Sequence, residues 1–245
     1  MRRESHARPS AAGGEMYRAG RPSPGARLIA AGSLVRKGRP VADIGCDHGK
    51  LAVWLVKKGI SPKIIAVDKR PLPLSRAKAL ARQCGVQDCV DCRLGDGLSA
   101  LGPDEAEEIL ITGLSGETIT DILAAAPWLG EKKVHLVLQP TTRASVLRRW
   151  LCEEGFALEE ERPVLERGRA YTNLSVYSKG QKMVPTERFC EVGLLPRAGG
   201  RAAETLLQNR LVDLRNRLKA PMNAAEKNDL KSLIDEVEAC LRLLK

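Results

Sequence analysis

Three carboxylates recur in the first hundred residues, each at the end of an apolar run: Asp43 after Val41-Ala42, Asp68 after Ile64-Ile65-Ala66-Val67, and Asp96 inside Gly95-Asp96-Gly97. The first belongs to the block Asp43-Ile44-Gly45-Cys46-Asp47-His48-Gly49, which carries a further acid and a histidine. Ionised carboxylates accept hydrogen bonds and attract cations, so the set suits a ligand that offers hydroxyls, an amino group and positive charge. It does not suit a dinucleotide. The fingerprint G-x-G-x-x-G needs glycines that Cys46–Lys50 supplies only at Gly49, and Asp43 and Asp47 put negative charge where a pyrophosphate would sit.

The elements around these residues alternate. Helical spacing is expected at Ala26–Lys37, Lys50–Lys58, Leu74–Gln83, Glu117–Ala126 and Ala144–Glu154, and strands at Val41–Ile44, Lys63–Val67, Val90–Leu94, Ile109–Thr112 and Val134–Leu138. Strands separated by helices in this rhythm predict an α/β fold with a doubly wound, mostly parallel sheet. Ala157–Glu166 and Ala170–Lys179 then alternate as strands around Arg167-Gly168, a hairpin that brings the sheet to seven strands with an antiparallel edge. After Gly180 leucines recur at helical steps, from Leu207 to Leu218 and from Leu230 to Leu244, with Pro221 between them and Asn223 and Glu226 spaced as a capping box. That pattern predicts a C-terminal helical hairpin, long enough to project, that serves as an RNA-gripping arm or as a helical cap or dimer contact. The expected organisation is a disordered basic tail over residues 1–24, a catalytic domain over 25–180 and a helical, coiled-coil-like domain over 181–245, with Met16 as an alternative start.

In an open parallel sheet the ligand sits at the carboxyl ends of the strands, where all three acids fall. S-adenosylmethionine carries a sulfonium and an amine and no phosphate, and it fits them. Gly45 would let backbone approach that ligand closely and Gly49 would let the next helix start tight against the strand. Asp68, with Lys69 beside it, is placed to accept from ribose hydroxyls, and Asp96 from the adenine amine while Gly95 and Gly97 let the ring pack on backbone.

The chain has 245 residues and a formal net charge of +10, which favours a polyanionic partner. No apolar run approaches membrane-spanning length and the Arg-rich start lacks the apolar core of a signal peptide, so a cytoplasmic location away from membranes is expected. Seven cysteines scattered through apolar segments read as reduced core thiols. Cys84, Cys89 and Cys92 share the C-x4-C-x2-C spacing of iron–sulfur ligands, yet they fall on a helix end and a strand, and no metal is expected.

The blocks VADIGCDHGKL, RLGDGL, ITGLSGETITDIL, LQPTTRASVLRRWL and ERGRAYTNLSVYSKG, preceded by Arg27-Leu28, resemble the bacterial tRNA adenine-N1-methyltransferases that act on adenine 22 in the D-loop region. The resemblance implies a class I methyltransferase domain followed by a helical C-terminal domain, both used on tRNA. It implies that Asp43, Gly45, His48 and Gly49 hold the methionine side of S-adenosylmethionine, Asp68 the ribose, and Asp96 with Gly97 the adenine, while Asp47 is similar to the family's acid beside the transferred methyl. Thr112-Gly113-Leu114-Ser115-Gly116 takes the place of the family's Gly-Met-Gly-Gly loop, with Leu114 for Met and Ser115 for Gly. Thr141 replaces the family's usual Asn, and Pro24-Gly25-Ala26-Arg27-Leu28 replaces its Leu-Ser-x-Arg-Leu start. These departures bear on the substrate side, for which Arg27, Ser115, Gly116, Thr141 and Arg143 are the candidates, with Gly113 on the cofactor side.

Methyl transfer from a sulfonium is an in-line displacement, and adenine N1 attacks with its own lone pair. Asp47 is the candidate catalytic residue, orienting the exocyclic amine and later accepting a proton. The Asn-Pro-Pro-Tyr motif of amino-group methylation is absent, which favours a ring nitrogen. Backbone grip is expected from Arg27, Arg143, Arg148 and Arg149, with at least one of the last two simply solvated, and from the basic residues of the hairpin. A monomer or weak dimer is expected. The alternatives are a methyltransferase for another RNA site or a small molecule, and a non-catalytic RNA-binding protein on the same fold. A nicotinamide oxidoreductase is disfavoured by the missing glycine and by Asp43.

Overall fold

Runs such as Val41–Ile44, apolar but for Asp43, and Ile64–Val67 are buried throughout because both faces of their strands are covered, and they form the middle of the sheet. The structure is a computed structural model and describes residues 23–178 and 180–244. The basic stretch expected to be disordered lies outside the described residues except for Ser23 and Pro24. In chain order the elements are α1 (Ala26–Gly32), β1 (Val41–Ile44), α2 (Lys50–Lys57), β2 (Ile64–Asp68), α3 (Pro71–Gln83), β3 (Val90–Leu94), β4 (Glu108–Ser115), α4 (Gly116–Ala124), β5 (His135–Thr142) and α5 (Ala144–Glu153). There follow β6 (Ala157–Glu166), β7 (Arg169–Tyr177), α6 (Glu187–Val192), α7 (Leu195–Ala198), α8 (Gly200–Arg217) and α9 (Ala224–Arg242).

The sheet has the order β3-β2-β1-β4-β5-β7-β6. Strands β1 to β5 pair in parallel, and β7 runs antiparallel between β5 and β6, so the C-terminal hairpin of strands supplies the expected antiparallel edge. The strand order reverses between β1 and β4, and open sheets of this kind take their ligands at the carboxyl ends beside such a reversal. One apolar layer joins α2 and α3 to one face of the sheet through Leu51, Leu55, Leu74 and Ala77. The other joins α4 and α5 through Ile119, Leu123, Leu147 and Leu151.

The differences from the sequence reading have local causes. Helix α1 ends at Gly32 instead of reaching Lys37, and the N–H groups of Leu34 and Val35 bond three residues back, to the Ala31 and Gly32 carbonyls, as the chain tightens out of the helix. Helix α3 starts three residues early, since Pro71 fits the first helical position, where no backbone donor is needed. Strands β4 and β5 run on to Ser115 and Thr142, with a register shift beyond Thr112 where Gly113 takes a φ of +81°.

Beyond the sheet, α8 and α9 bury Leu207, Leu211 and Leu214 against Leu230, Ile234 and Val237. Asn223 and Glu226 form the expected capping box. The short helices α6 and α7 were not expected, being bounded by Gly193 and Gly199 rather than by a long periodic run. Helix α8 rests on β6 and β7 at the antiparallel edge, and α9 packs against α8 and α6.

Arg148 corrects another expectation. Expected among the RNA-gripping cations, it is instead buried on α5, pairs with the Glu161 carboxylate of β6 and donates to the Cys190 carbonyl at 2.8 Å. Glu161 also accepts from Thr172 at 2.9 Å and from the Leu194 N–H at 2.8 Å. This pair therefore staples the segment around α6 and α7 to the sheet. Arg149 pairs with Glu187 at 2.6 Å.

Candidate functional site

The turn after β1 is tied to the end of β2. The N–H groups of Gly45 and Cys46 both donate to the Val67 carbonyl, at 2.8 and 2.9 Å, and the N–H of Asp47 donates to the Asp68 carboxylate at 3.0 Å. Asp68 also accepts from the Arg70 N–H at 2.9 Å, and only 4% of its side chain is exposed. Gly45 and Gly49 take φ values of +73° and +66°, as a tight turn into a helix requires. Gly49 is sterically compelled as well, because a Cβ there would come within 2.8 Å of Ala77 Cβ on α3. Asp47 itself is left-handed, with φ +49°, and so presents an exposed carboxylate above the turn. His48 Nε2 lies 3.7 Å from that carboxylate, and the Arg70 guanidinium lies at the same distance.

Asp43 is the electrostatic centre of the turn. Its carboxyl is fully buried, and Oδ2 has no hydrogen-bond partner. Burial, assisted by the charge of Asp68, raises its pKa from the usual 3.8 to about 7. A buried carboxylate oxygen without a partner is costly, and a cationic donor delivered by a ligand relieves that cost. The cofactor fit rests on this observation: an acid-lined, phosphate-hostile turn with one unsatisfied acceptor suits the amine and sulfonium of S-adenosylmethionine. The neighbouring Cys46 thiol is pushed far up by burial and by Asp43, which leaves it inert.

The expected adenine side lies at the end of β3. Asp96 is exposed and stands 3.9 Å from the Lys69 ammonium, so these two candidates meet each other. Gly95 packs on Ala100, where a Cβ would come within 2.4 Å, and Gly97, with φ +58°, packs on Ile122 of α4.

The remaining candidates line the ends of β4 and β5. Ser115 caps α4 by accepting from the Thr118 N–H at 3.1 Å, and Thr141 donates to the Leu114 carbonyl at 3.0 Å. A Cβ on Gly116 would come within 2.1 Å of the Arg143 carbonyl, so the two turns touch. Arg143 has φ +56° and an exposed side chain 3.7 Å from Glu117. Arg27 is not a free cation: its guanidinium donates to Gln139 and lies over the Tyr171 ring, 5.4 Å from the centroid, while Nε is 3.8 Å from Glu166. Leu114 joins the two groups of residues, since its Cδ1 lies 3.9 Å from the Cβ position of Gly45.

Sequence reasoning did not single out Gln139, Tyr171, Glu166 or Arg70. The first had a signal, a lone amide at the end of the apolar run Leu136-Val137-Leu138, and it proves fully buried. The others are brought in by strand pairing and by the β2 turn, which spacing alone does not reveal. Among the described residues no group of three His, Cys, Asp or Glu is placed to hold a metal ion, and no helix is long and apolar enough to cross a membrane.

Residues 25–174 match the family model described as a methyltransferase domain. The chain is 33% identical over 145 residues to the tRNA (adenine(22)-N(1))-methyltransferase of Bacillus subtilis, a match that covers 59% of this chain and 61% of that enzyme. Among solved structures, the Bacillus subtilis tRNA methyltransferase TrmK is similar with a TM-score of 0.77 and 26% identity, covering 91% of this chain and 99% of the other. A Streptococcus pneumoniae protein solved in complex with S-adenosyl-L-methionine is similar with a TM-score of 0.75 and 26% identity, covering 88% of this chain and 98% of the other. The doubly wound sheet, the acid-lined turn after its first strand and these likenesses agree, and the chain belongs to the methyltransferase-domain family.

Proposed function

We propose that this chain transfers the methyl group of S-adenosylmethionine to N1 of adenine 22 in tRNA, as the name of its Bacillus subtilis relative describes for that enzyme. The observation that carries the reading is the unsatisfied, buried carboxylate of Asp43 beneath a turn that contains Asp47 and is tied to Asp68. When bound, S-adenosylmethionine supplies an electrophilic methyl on a sulfonium. Asp43, Gly45, His48 and Gly49 hold its methionine side, Asp68 and Lys69 its ribose, and Gly95, Asp96 and Gly97 its adenine, with Gly113 closing the pocket.

The chemistry asks little of the protein beyond alignment in a dry site. The N1 lone pair of adenine forms the new bond to carbon, the carbon–sulfur bond breaks with its electrons left on sulfur, and the methylated ring is a cation. Asp47, whose backbone N–H is held by Asp68, carries an exposed carboxylate suited to orient the exocyclic amine and offset the growing charge. N1 is masked in a base pair, so the target must be unpaired or turned out of its stack before transfer.

Residues 25–180 would carry this chemistry, and the helical part, 181–245, would help to grip the tRNA, with Arg143, Ser115, Gly116 and Thr141 at the target side. We place the enzyme in the cytoplasm as a monomer or weak dimer. A tRNA transcript containing adenine 22 is expected to accept labelled methyl, and the same transcript with guanine there is expected to lose the label. Equal labelling of both would move the target to another nucleotide.

A further inference from the structure

We infer that the Tyr171 ring, backed by Arg27 and held in place through Gln139, is the platform on which the target adenine stacks. The inference rests on the proposed activity. Tyr171 stands near the start of β7, opposite Val164 of β6, at the end of the sheet where β4 and β5 finish. It is half-buried, and the Arg27 guanidinium covers one side, 5.4 Å from the ring centroid. Tyr177 lies at the other end of the same strand, against His135 at 4.9 Å between centroids. Three successive contacts run from the cofactor turn to Tyr171: the Cβ position of Gly45 to Leu114 at 3.9 Å, that of Gly113 to Arg27 at 3.3 Å, and Arg27 to the ring.

Bases that leave a stack are received on aromatic rings and guanidinium planes, which tolerate any base because they meet its π face. Arg27 is fixed rather than free, since Glu166 neutralises it and also accepts from its backbone N–H at 3.1 Å. A neutralised plane does not repel the cationic N1-methyladenine as it forms, whereas a free arginine would.

Gln139 is the positioning residue. Its fully buried amide oxygen accepts from Arg27 and from the Gly113 N–H at 3.0 Å, while its amide nitrogen donates to the Pro140 carbonyl at 2.8 Å. That last bond fixes which way the amide faces. Gln139 thereby locks both the register shift in β4 and the plane behind Tyr171.

The test uses the full chain, a tRNA transcript, and a second transcript with 2-aminopurine in place of adenine 22, whose fluorescence falls on stacking. Wild-type protein is expected to keep the probe quenched on the ring after it leaves the RNA stack. Tyr171→Ala is expected to abolish that quenching and raise KM for tRNA about tenfold, with affinity for S-adenosylmethionine within about twofold, and Tyr171→Phe to recover most of the loss. Gln139→Leu is expected to lower kcat about tenfold with the same cofactor affinity. Unchanged quenching and KM in Tyr171→Ala would overturn the platform, as would an equal loss of cofactor affinity. Wild-type label on a nucleoside other than N1-methyladenosine would instead overturn the proposed function, and the platform with it.

Discussion

The backbone N–H of Asp47 donates to the carboxylate of Asp68 at 3.0 Å, so the acid that ends β2 fixes the left-handed residue that follows β1. One side chain thus fixes the geometry of the turn, and in the proposed function the same side chain holds the ribose. Asp68→Ala is expected to weaken S-adenosylmethionine binding by at least about tenfold, since it removes a buried acceptor and frees the turn. Calorimetry measures this directly, and unchanged affinity would remove Asp68 from the ribose contact.

Asp47 is the proposed catalytic residue, and its backbone conformation dictates the informative substitution. Asparagine tolerates the left-handed region, so Asp47→Asn deletes the charge while keeping the turn. Turnover is expected to fall by about a hundredfold, with cofactor affinity changed by less than about threefold. Equal losses in both would make Asp47 a binding residue.

How far the sequence could be read follows from the kind of interaction involved. The parallel strands are legible because their runs are short and alternate with helical spacing, and the three acids because each falls at or beside the end of one such run. Arg148 was misread because its helix spacing says nothing of Glu161, which arrives on β6 thirteen residues later. Gln139 and Tyr171 became significant only when β5 and β7 were brought side by side. Helices α6 and α7 escaped notice because four to six residues give no periodicity to read.

The pH dependence of the protein should report Asp43. Its pKa stands at about 7 in the folded chain, against an ordinary 3.8. A carboxyl whose pKa rises on folding favours the folded state below about pH 4, and that contribution is lost as pH climbs to about 7. Asp43→Asn is therefore expected to stabilise the ligand-free protein at pH 8, on the order of 1–3 kcal/mol, with the gain vanishing near pH 4. Thermal unfolding across that range checks it. Binding of cationic S-adenosylmethionine at pH 6.5 is expected to release a proton from Asp43, visible as a buffer-dependent heat. A heat independent of buffer would contradict the burial argument.

The Arg148–Glu161 pair is buried on both sides, with 3% and 0% of the side chains exposed. Removing one partner leaves the other charged and unpaired. Glu161→Ala is expected to cost about 3–5 kcal/mol of stability, read as a lowered unfolding midpoint, whereas replacing both residues by apolar ones of similar size costs much less. If the single and double variants were equally destabilised, the staple would owe its effect to packing rather than charge.

The central claim is methyl transfer to a ring nitrogen of adenine in tRNA. The most direct measurement is incubation of the full chain with tritiated S-adenosylmethionine and unmodified bacterial tRNA, followed by digestion and nucleoside analysis. The structure and its family lead us to expect the label in N1-methyladenosine, mapping to adenine 22. Label in N6-methyladenosine or a methylated guanosine, or no label from protein that binds S-adenosylhomocysteine, would contradict it.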